Sequence, residues 1–280
     1  QFAINDRLTT AFRPMPLKTG READMKEALE WFDMVKPHFF RAPLDNDKGF
    51  GNWIAKDWKN NRLDSPETVT VKPLDAKRNA DGTVTVTATQ ECRYANGKIT
   101  TDYVYTMDAD GSVEFNATYT PEGQLPPLPC IGNTFLLDKD MTHLSWYGQG
   151  LQDSYVDRLE ATGIGRWTSS VDQEYVHYPR PQSSGNHEQT VTLSLTDSKG
   201  RGYTVTTANA TPFAFSALPY SEHQLSTVAH GCDLQTESNV FLNIDAAMMG
   251  LGNSSCGPGV LTKYSIPQKQ HSLHVMFKRK

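Results

Sequence analysis

Beyond Glu67 the chain alternates apolar and polar residues in short runs, and a period of two is the mark of strands with one buried face. Thr68–Val71, Thr83–Ala88, Ile99–Tyr105 and Ser112–Tyr119 are such runs, separated by Asp81-Gly82, Asn96-Gly97 and Asp110-Gly111. These pairs favour tight hairpin turns, so the four strands are predicted to form one antiparallel meander in a single sheet. Further strands are expected at Asn133–Leu137, Thr190–Leu195, Gly202–Ala208, Asn239–Asp245 and His271–Phe277, all rich in β-branched or aromatic residues. Helical pattern is confined to Arg21–Val35, with Met25, Leu29 and Phe32 as its apolar positions, and to Ser221–Thr227. Neither can organise a helical domain. Residues 1–66, punctuated by Pro14, Pro16, Pro37 and Pro43, read as an irregular lead-in wrapping a β body of residues 67–280, within one domain.

Composition narrows the partners. The chain has 280 residues and a formal charge of −5, and its most basic run is the short Lys278-Arg279-Lys280, so nucleic acid is not an expected partner. No apolar run approaches the ~20 residues of a membrane helix. A soluble chain is expected, with periplasm and cytoplasm both open. Cys92, Cys130, Cys232 and Cys256 lie far apart, with no Cys-x-x-Cys pair and no neighbouring histidine pattern. Spacing therefore predicts no metal site, and disulfides and free thiols stay open. The chain begins at Gln1 without Met or a secretion signal, which suggests a piece of a longer polypeptide.

Two segments concentrate chemistry. In Phe39–Gly49, Arg41 is close in sequence to Asp45 and Asp47, with Asn46 between them; the Asp-x-Asp pattern lacks the further ligands of a calcium loop, so an arginine–carboxylate cluster that stiffens the turn is expected. In Trp146–Arg158, aromatic rings, Gly148, Gly150 and polar side chains crowd together. That composition suits a sugar, whose C–H faces meet rings and whose hydroxyls meet amides and carboxylates. It suits equally a tight connection with Trp146 and Tyr147 in a core. Asp245 is read as a hydrogen-bonded strand-end carboxylate, and His187 and His230 as structural, since no partner for either is visible in sequence.

Phe40-Arg-Ala-Pro-Leu-Asp-Asn-Asp47 resembles the opening signature of the C-terminal small-chain domain of glycoside hydrolase family 2 β-galactosidases. Four further segments follow in the family's order: Trp146-Tyr-Gly-Gln-Gly150 onward to Arg158, Tyr178–Gln182 with Gly185-Asn186, Pro212–Leu218 with His230, and Leu242–Asp245 through Gly250–Gly252 to Cys256-Gly-Pro258. The resemblance implies a large antiparallel two-sheet β-sandwich, a supersandwich of the galactose mutarotase-like kind, following a catalytic barrel. It places both carboxyl groups of the retaining reaction in that barrel, so no catalytic residue is expected here. Cofactors are not expected in this chain, magnesium or sodium belonging to the catalytic part where the family uses them. The implied partners are that barrel, a galactoside and, through the intact enzyme, further copies in a homo-oligomer.

The same resemblance makes Gln152, Asp153, Asn253 and Cys256 the candidate substrate rim, and Arg41, Asp45, Asn46 and Asp47 a structural motif. Asp153 stands where a Glu is common and Cys256 where some members have Trp, while Leu151, Ser154 and Ser183 depart from the usual Pro, Asn and Glu. The two loops 150–158 and 252–258 are expected to meet at one edge of the sandwich. A free-standing aldose 1-epimerase-like enzyme, a carbohydrate-binding protein and a purely structural module are the competing readings.

Overall fold

The computed structural model describes residues 22–49 and 54–280; the first part of the wrapping segment, with Pro14, Pro16 and the helix start expected at Arg21, lies outside them. Asp24 caps helix α1 (Met25–Phe32), its carboxylate accepting the Lys26 N–H at 2.9 Å. The helix stops short of Val35 because Val35 enters a strand, β1 (Val35–His38). Short helices α2 (Asp45–Lys48) and α3 (Ile54–Asn60) follow. The segment expected to wrap the body thus contributes a strand to one of its sheets.

The meander comprises β2 (Glu67–Arg78), β3 (Val84–Arg93), β4 (Gly97–Met107) and β5 (Val113–Gly123), paired in sequence order. Gly82 and Gly111 turn at φ of 90° and 77°, the left-handed conformation that made Asp-Gly a turn signal. The chain continues through β6 (Cys130–Asp138), β7 (His143–Gly150), β8 (Gly163–Ser170), α4 (Val171–Glu174), β9 (His187–Thr190), β10 (Thr192–Thr196) and β11 (Gly202–Thr207). It ends with β12 (Phe213–Leu218), α5 (Glu222–Thr227), β13 (Asn239–Met248) and β14 (His271–Arg279).

Among the described residues the strands form two antiparallel sheets. One has five strands in the order β1-β6-β13-β12-β9, the other nine in the order β2-β3-β4-β5-β14-β11-β10-β7-β8. β14, last in the sequence, therefore lies at the centre of the large sheet, between β5 and β11. The strand expected at Thr190–Leu195 is two strands: β9 belongs to the small sheet and β10 to the large one, with the handover at Val191. β12 is buried along its whole length, so it shows no alternation to read.

Alternate residues of both sheets meet in one core. Trp31 of α1 plugs it, its ring centroid 5.0 Å from Tyr105 and 5.5 Å from Phe277, while Phe32 meets Tyr103 edge-on at 5.0 Å. Two buried hydroxyls of this core share one amide: the Tyr119 hydroxyl donates to Asn133 Oδ1 and the Asn133 amide donates to the Tyr103 hydroxyl at 3.1 Å. The outer edge β2 is exposed along much of its length and carries Lys72, Asp75, Lys77 and Arg78, with Pro73 interrupting its hydrogen-bonding row. Such residues keep an open edge from pairing with a second sheet.

Candidate functional site

At one end of the sandwich the connections between strands stack over the outer face of the five-stranded sheet, and their polar groups converge on Gly252. Asp157 accepts the N–H groups of Leu251, at 3.0 and 3.1 Å, and of Gly252, at 2.8 Å. The Arg158 guanidinium donates to the Gly252 carbonyl and, at 3.2 Å, to Asn253 Oδ1. Asn46 of α2 donates to the same carbonyl at 2.7 Å, and its Oδ1 accepts from Ser255 Oγ. Loops 150–158 and 252–258 therefore lie against each other, joined by charge-assisted bonds.

Arg41 sits beneath this junction, fully buried. It donates to Asp47 at 3.0 and 3.3 Å and to the Met249 carbonyl at 3.0 Å, and lies 5.8 Å from the Trp58 ring and 5.7 Å from that of Tyr155. Asp47 also accepts the Leu44 N–H at 2.9 Å. Asp45, exposed, is engaged instead by Gln182, whose Oε1 accepts the Asp45 N–H at 2.9 Å and whose amide donates back at 3.3 Å. The two acids of the Asp-x-Asp pattern thus serve loop architecture on opposite sides of Asn46.

Gln152, Asn253 and Cys256 are exposed on these loops, and Asp153 is half-buried beside them. Burial pushes the Asp153 carboxyl above its ordinary range, against the pull of nearby His187. Burial, followed by the charges of Asp153 and Asp45, raises the Tyr178 phenol, which places the three groups within electrostatic reach of one another. Trp146 is not on this rim. It is buried, its indole N–H donating to the Gln149 carbonyl at 2.9 Å and its ring packed 4.3 Å from His187; Tyr147 alone of the pair faces outward, under the Arg166 guanidinium at 5.5 Å.

A layer of buried titratable groups underlies the rim. His187 Nε2 bonds Glu174 Oε2 at 2.6 Å, with both residues buried, whereas His230 is exposed. Asp245, expected at a strand end, lies inside β13, fully buried, 2.7 Å from His38 Nδ1. Burial holds the Asp245 carboxyl high, and Asp245, acting against burial, lifts His38, so the pair retains a proton to higher pH. All four cysteines are free thiols.

Glu188 is a buried carboxyl with a direct consequence for stability. Burial pushes it to about 8, only partly opposed by the Asn186 amide that donates to it at 3.1 Å. In the unfolded chain it would titrate near ~4.3. Between those values the folded state binds the extra proton, so this group's stabilising contribution is complete below about pH 4 and declines toward pH 8, with a slope approaching ~1.4 kcal/mol per pH unit. Glu188→Gln, which mimics the protonated form, is expected to flatten the loss of stability between pH 5 and pH 8 in urea unfolding. An unaltered pH profile would show that Glu188 is ionised in the fold.

Sequence reasoning gave no individual role to Asp157, Arg158, Gln182, Glu174 or Glu188, although the first two lie within the Trp146–Arg158 segment and Gln182 ends the Tyr178–Gln182 one. His38 and Asp245 are 207 positions apart, and His38 and Cys130 are 92 apart, so no local spacing could announce them.

These features define a two-sheet β-sandwich domain whose end loops gather carboxylates, amides and a phenol on one rim. The chain belongs to the β-galactosidase small-chain family, whose pattern, described as "Beta galactosidase small chain", it matches over residues 17–277. It is 32% identical over 218 residues to the β-galactosidase of Streptococcus thermophilus, covering 78% of this chain and 21% of that protein. It is 36% identical over 186 residues to β-galactosidase BgaC of Bifidobacterium adolescentis, covering 65% and 17%, and 27% identical over 274 residues to the β-galactosidase of Kluyveromyces lactis, covering 94% and 25%. The chain thus spans about a fifth of the length of these relatives, and in them a domain of this kind accompanies a longer remainder. Among solved structures it is similar to a putative aldose 1-epimerase of Escherichia coli, with a TM-score of 0.38, 8% identity and coverage of 75% of this chain and 69% of that one. No helix among the described residues is long and apolar enough to cross a membrane.

Proposed function

We propose that this chain is the C-terminal sandwich domain of a retaining β-galactosidase and completes the mouth of its sugar site, while the reacting carboxylates come from a preceding barrel of the same polypeptide. The observation that carries this reading is the junction at Gly252: two loops about a hundred residues apart are fixed together by Asp157, Arg158 and Asn46. Gln152, Asp153, Asn253 and Cys256, carried on these loops, are proposed as the rim that meets the sugar. Such an arrangement orients a sugar by its hydroxyls without supplying acid–base chemistry. A half-site of this kind encloses too little of a monosaccharide to hold it alone. The proposed partners are the barrel, a terminal β-D-galactoside and, through the whole enzyme, further copies in a homo-oligomer.

An epimerase reading requires a base and an acid that reach one sugar oxygen. A buried His–Glu pair of this end, His187 with Glu174, is 0% and 6% exposed in its side chains, which favours the accessory role.

The 280-residue chain alone is expected to show no turnover of a chromogenic β-galactoside and no micromolar binding of galactose in calorimetry. In the full-length enzyme, Asp153→Ala is expected to lower kcat/KM at least about tenfold, the effect of losing one hydrogen bond to a charged group. Its melting temperature should stay within a few degrees. Unchanged kinetics, or hydrolysis by the isolated chain that a point change within it abolishes, would remove the proposal.

A further inference from the structure

Among the described residues the two sheets end in four edge strands, and three of the four are protected. β1 and β9 are only four residues long, and Pro37 removes an N–H from β1. β2 carries Pro73, the charges of Lys72, Asp75, Lys77 and Arg78, and two breaks of register with β3. Short length, charge, proline and bulges are the ordinary means of keeping an edge from pairing. β8 has none of them. It runs eight residues in unbroken register with β7, contains no proline, lysine or carboxylate, and has no buried residue.

Apolar surface gathers at the same place. Tyr147, Leu151 and Ile164, all in the β7–β8 hairpin, are large apolar side chains exposed at 41%, 54% and 57%. Ile164 stands opposite Gln149, two residues along β7 from Tyr147, so both side chains lie on one face of the sheet. Arg166, the only charged residue of β8, stands opposite Tyr147 and lays its guanidinium over that ring. No carboxylate among the described residues bonds it.

We propose that the open edge of β8, with the apolar face of its hairpin, pairs with an extended segment of the preceding catalytic part of the same polypeptide, which adds a strand to the large sheet. This rests on the reading that such a part accompanies the domain. Two observations choose the occupant. The loop 150–158, which carries the rim, leaves β7 on the way to β8, so whatever faces the rim lies at the end of this strand. The chain also spans only about a fifth of its relatives' length, so the greater part of such a polypeptide is available to cover the edge. Main-chain hydrogen bonds supply the pairing, Tyr147 and Ile164 the apolar contact, and Arg166 a charge for a carboxylate on the incoming strand. A second copy fits less well, since two β8 strands set side by side bring an arginine from each and an acid from neither.

Hydrogen exchange of the full-length enzyme, read by mass spectrometry, tests this, because alternate N–H groups of a strand paired on one side face its empty side. Peptides covering β8 are expected to exchange at least about tenfold more slowly than those covering β2, and to lose that difference in the 280-residue chain alone. Ile164→Lys should restore fast exchange of β8 in the full-length enzyme, whereas Val71→Lys, at a position of β2 exposed at 48%, should change nothing. Exchange of β8 as fast as β2 in the full-length enzyme would overturn the proposal, as would protection unaltered by Ile164→Lys or already present in the monomeric 280-residue chain. Protection that disappears when the enzyme is diluted to single subunits would also overturn it, and would assign the edge to a second copy. The readout is independent of the rim. A bare β8 together with impaired Asp153→Ala kinetics removes the docking edge alone, and a covered β8 with unchanged kinetics removes the rim alone.

Discussion

Replacement of Arg41 by alanine is expected to destabilise the fold by about 3–5 kcal/mol, because it leaves Asp47 buried with its counter-ion removed. The guanidinium also bridges the acid to the Met249 carbonyl and fills the space between Trp58 and Tyr155, so packing is lost together with charge. At roughly 2 °C per kcal/mol for a domain of this size, the melting temperature should fall by about 6–10 °C. Arg41→Lys should recover only part of that, since an ammonium cannot bond both Asp47 and the Met249 carbonyl with a planar fork. Melting of the alanine variant within about 1 °C of wild type would show that Asp47 has another partner able to replace Arg41.

Gly132→Ala is expected to be as damaging from the smallest possible change. A methyl group there would run into Asp245 Oδ1 and the Ile244 carbonyl oxygen and approach Asp245 Cα to 2.6 Å. Two of those obstacles are backbone of the neighbouring strand, so β6 and β13 must separate. The cost of such overpacking is about 3 kcal/mol, and the His38–Asp245 contact should be lost with it. Nuclear magnetic resonance of the His38 ring reads that contact directly. A variant with wild-type melting and an unshifted His38 signal would contradict the close approach around Gly132.

Much of the large sheet was legible because its turns are chemically explicit. Asp81-Gly82 and Asp110-Gly111 state where the meander reverses, and the alternation from Thr83 to Ala88 states which face is buried. The strands that were not legible lack one of those signals. β12 is apolar at nearly every position, and β8, with Gly163, Gly165 and Arg166, is a glycine-bearing edge whose exposure hides its period. Thr190–Leu195 reads as a single run because changing sheets at Val191 leaves no mark in residue type.

The candidate site divides in the same way. Arg41 and Asp47 are six positions apart, so their pairing follows from a short loop, and the meeting of the segments at Gly252 was anticipated through the family resemblance of their motifs. The titratable layer beneath could not. His38 is one residue of a four-residue strand, Cys130 begins another and Asp245 lies within a third, so only the register of the folded sheet brings them together.

The central place of β14 in the large sheet has a consequence for how the protein is made. The meander can assemble on the ribosome once Gly123 has emerged, but Tyr119 must wait about 150 residues for its partner His271. Until then β5 and β11 each present a bare edge, one on either side of a missing strand. Nascent chains stalled, or messages cut short, between Thr207 and His271 yield two half-sheets with adhesive margins rather than a smaller soluble domain. Such products are natural substrates for chaperones and proteases during synthesis.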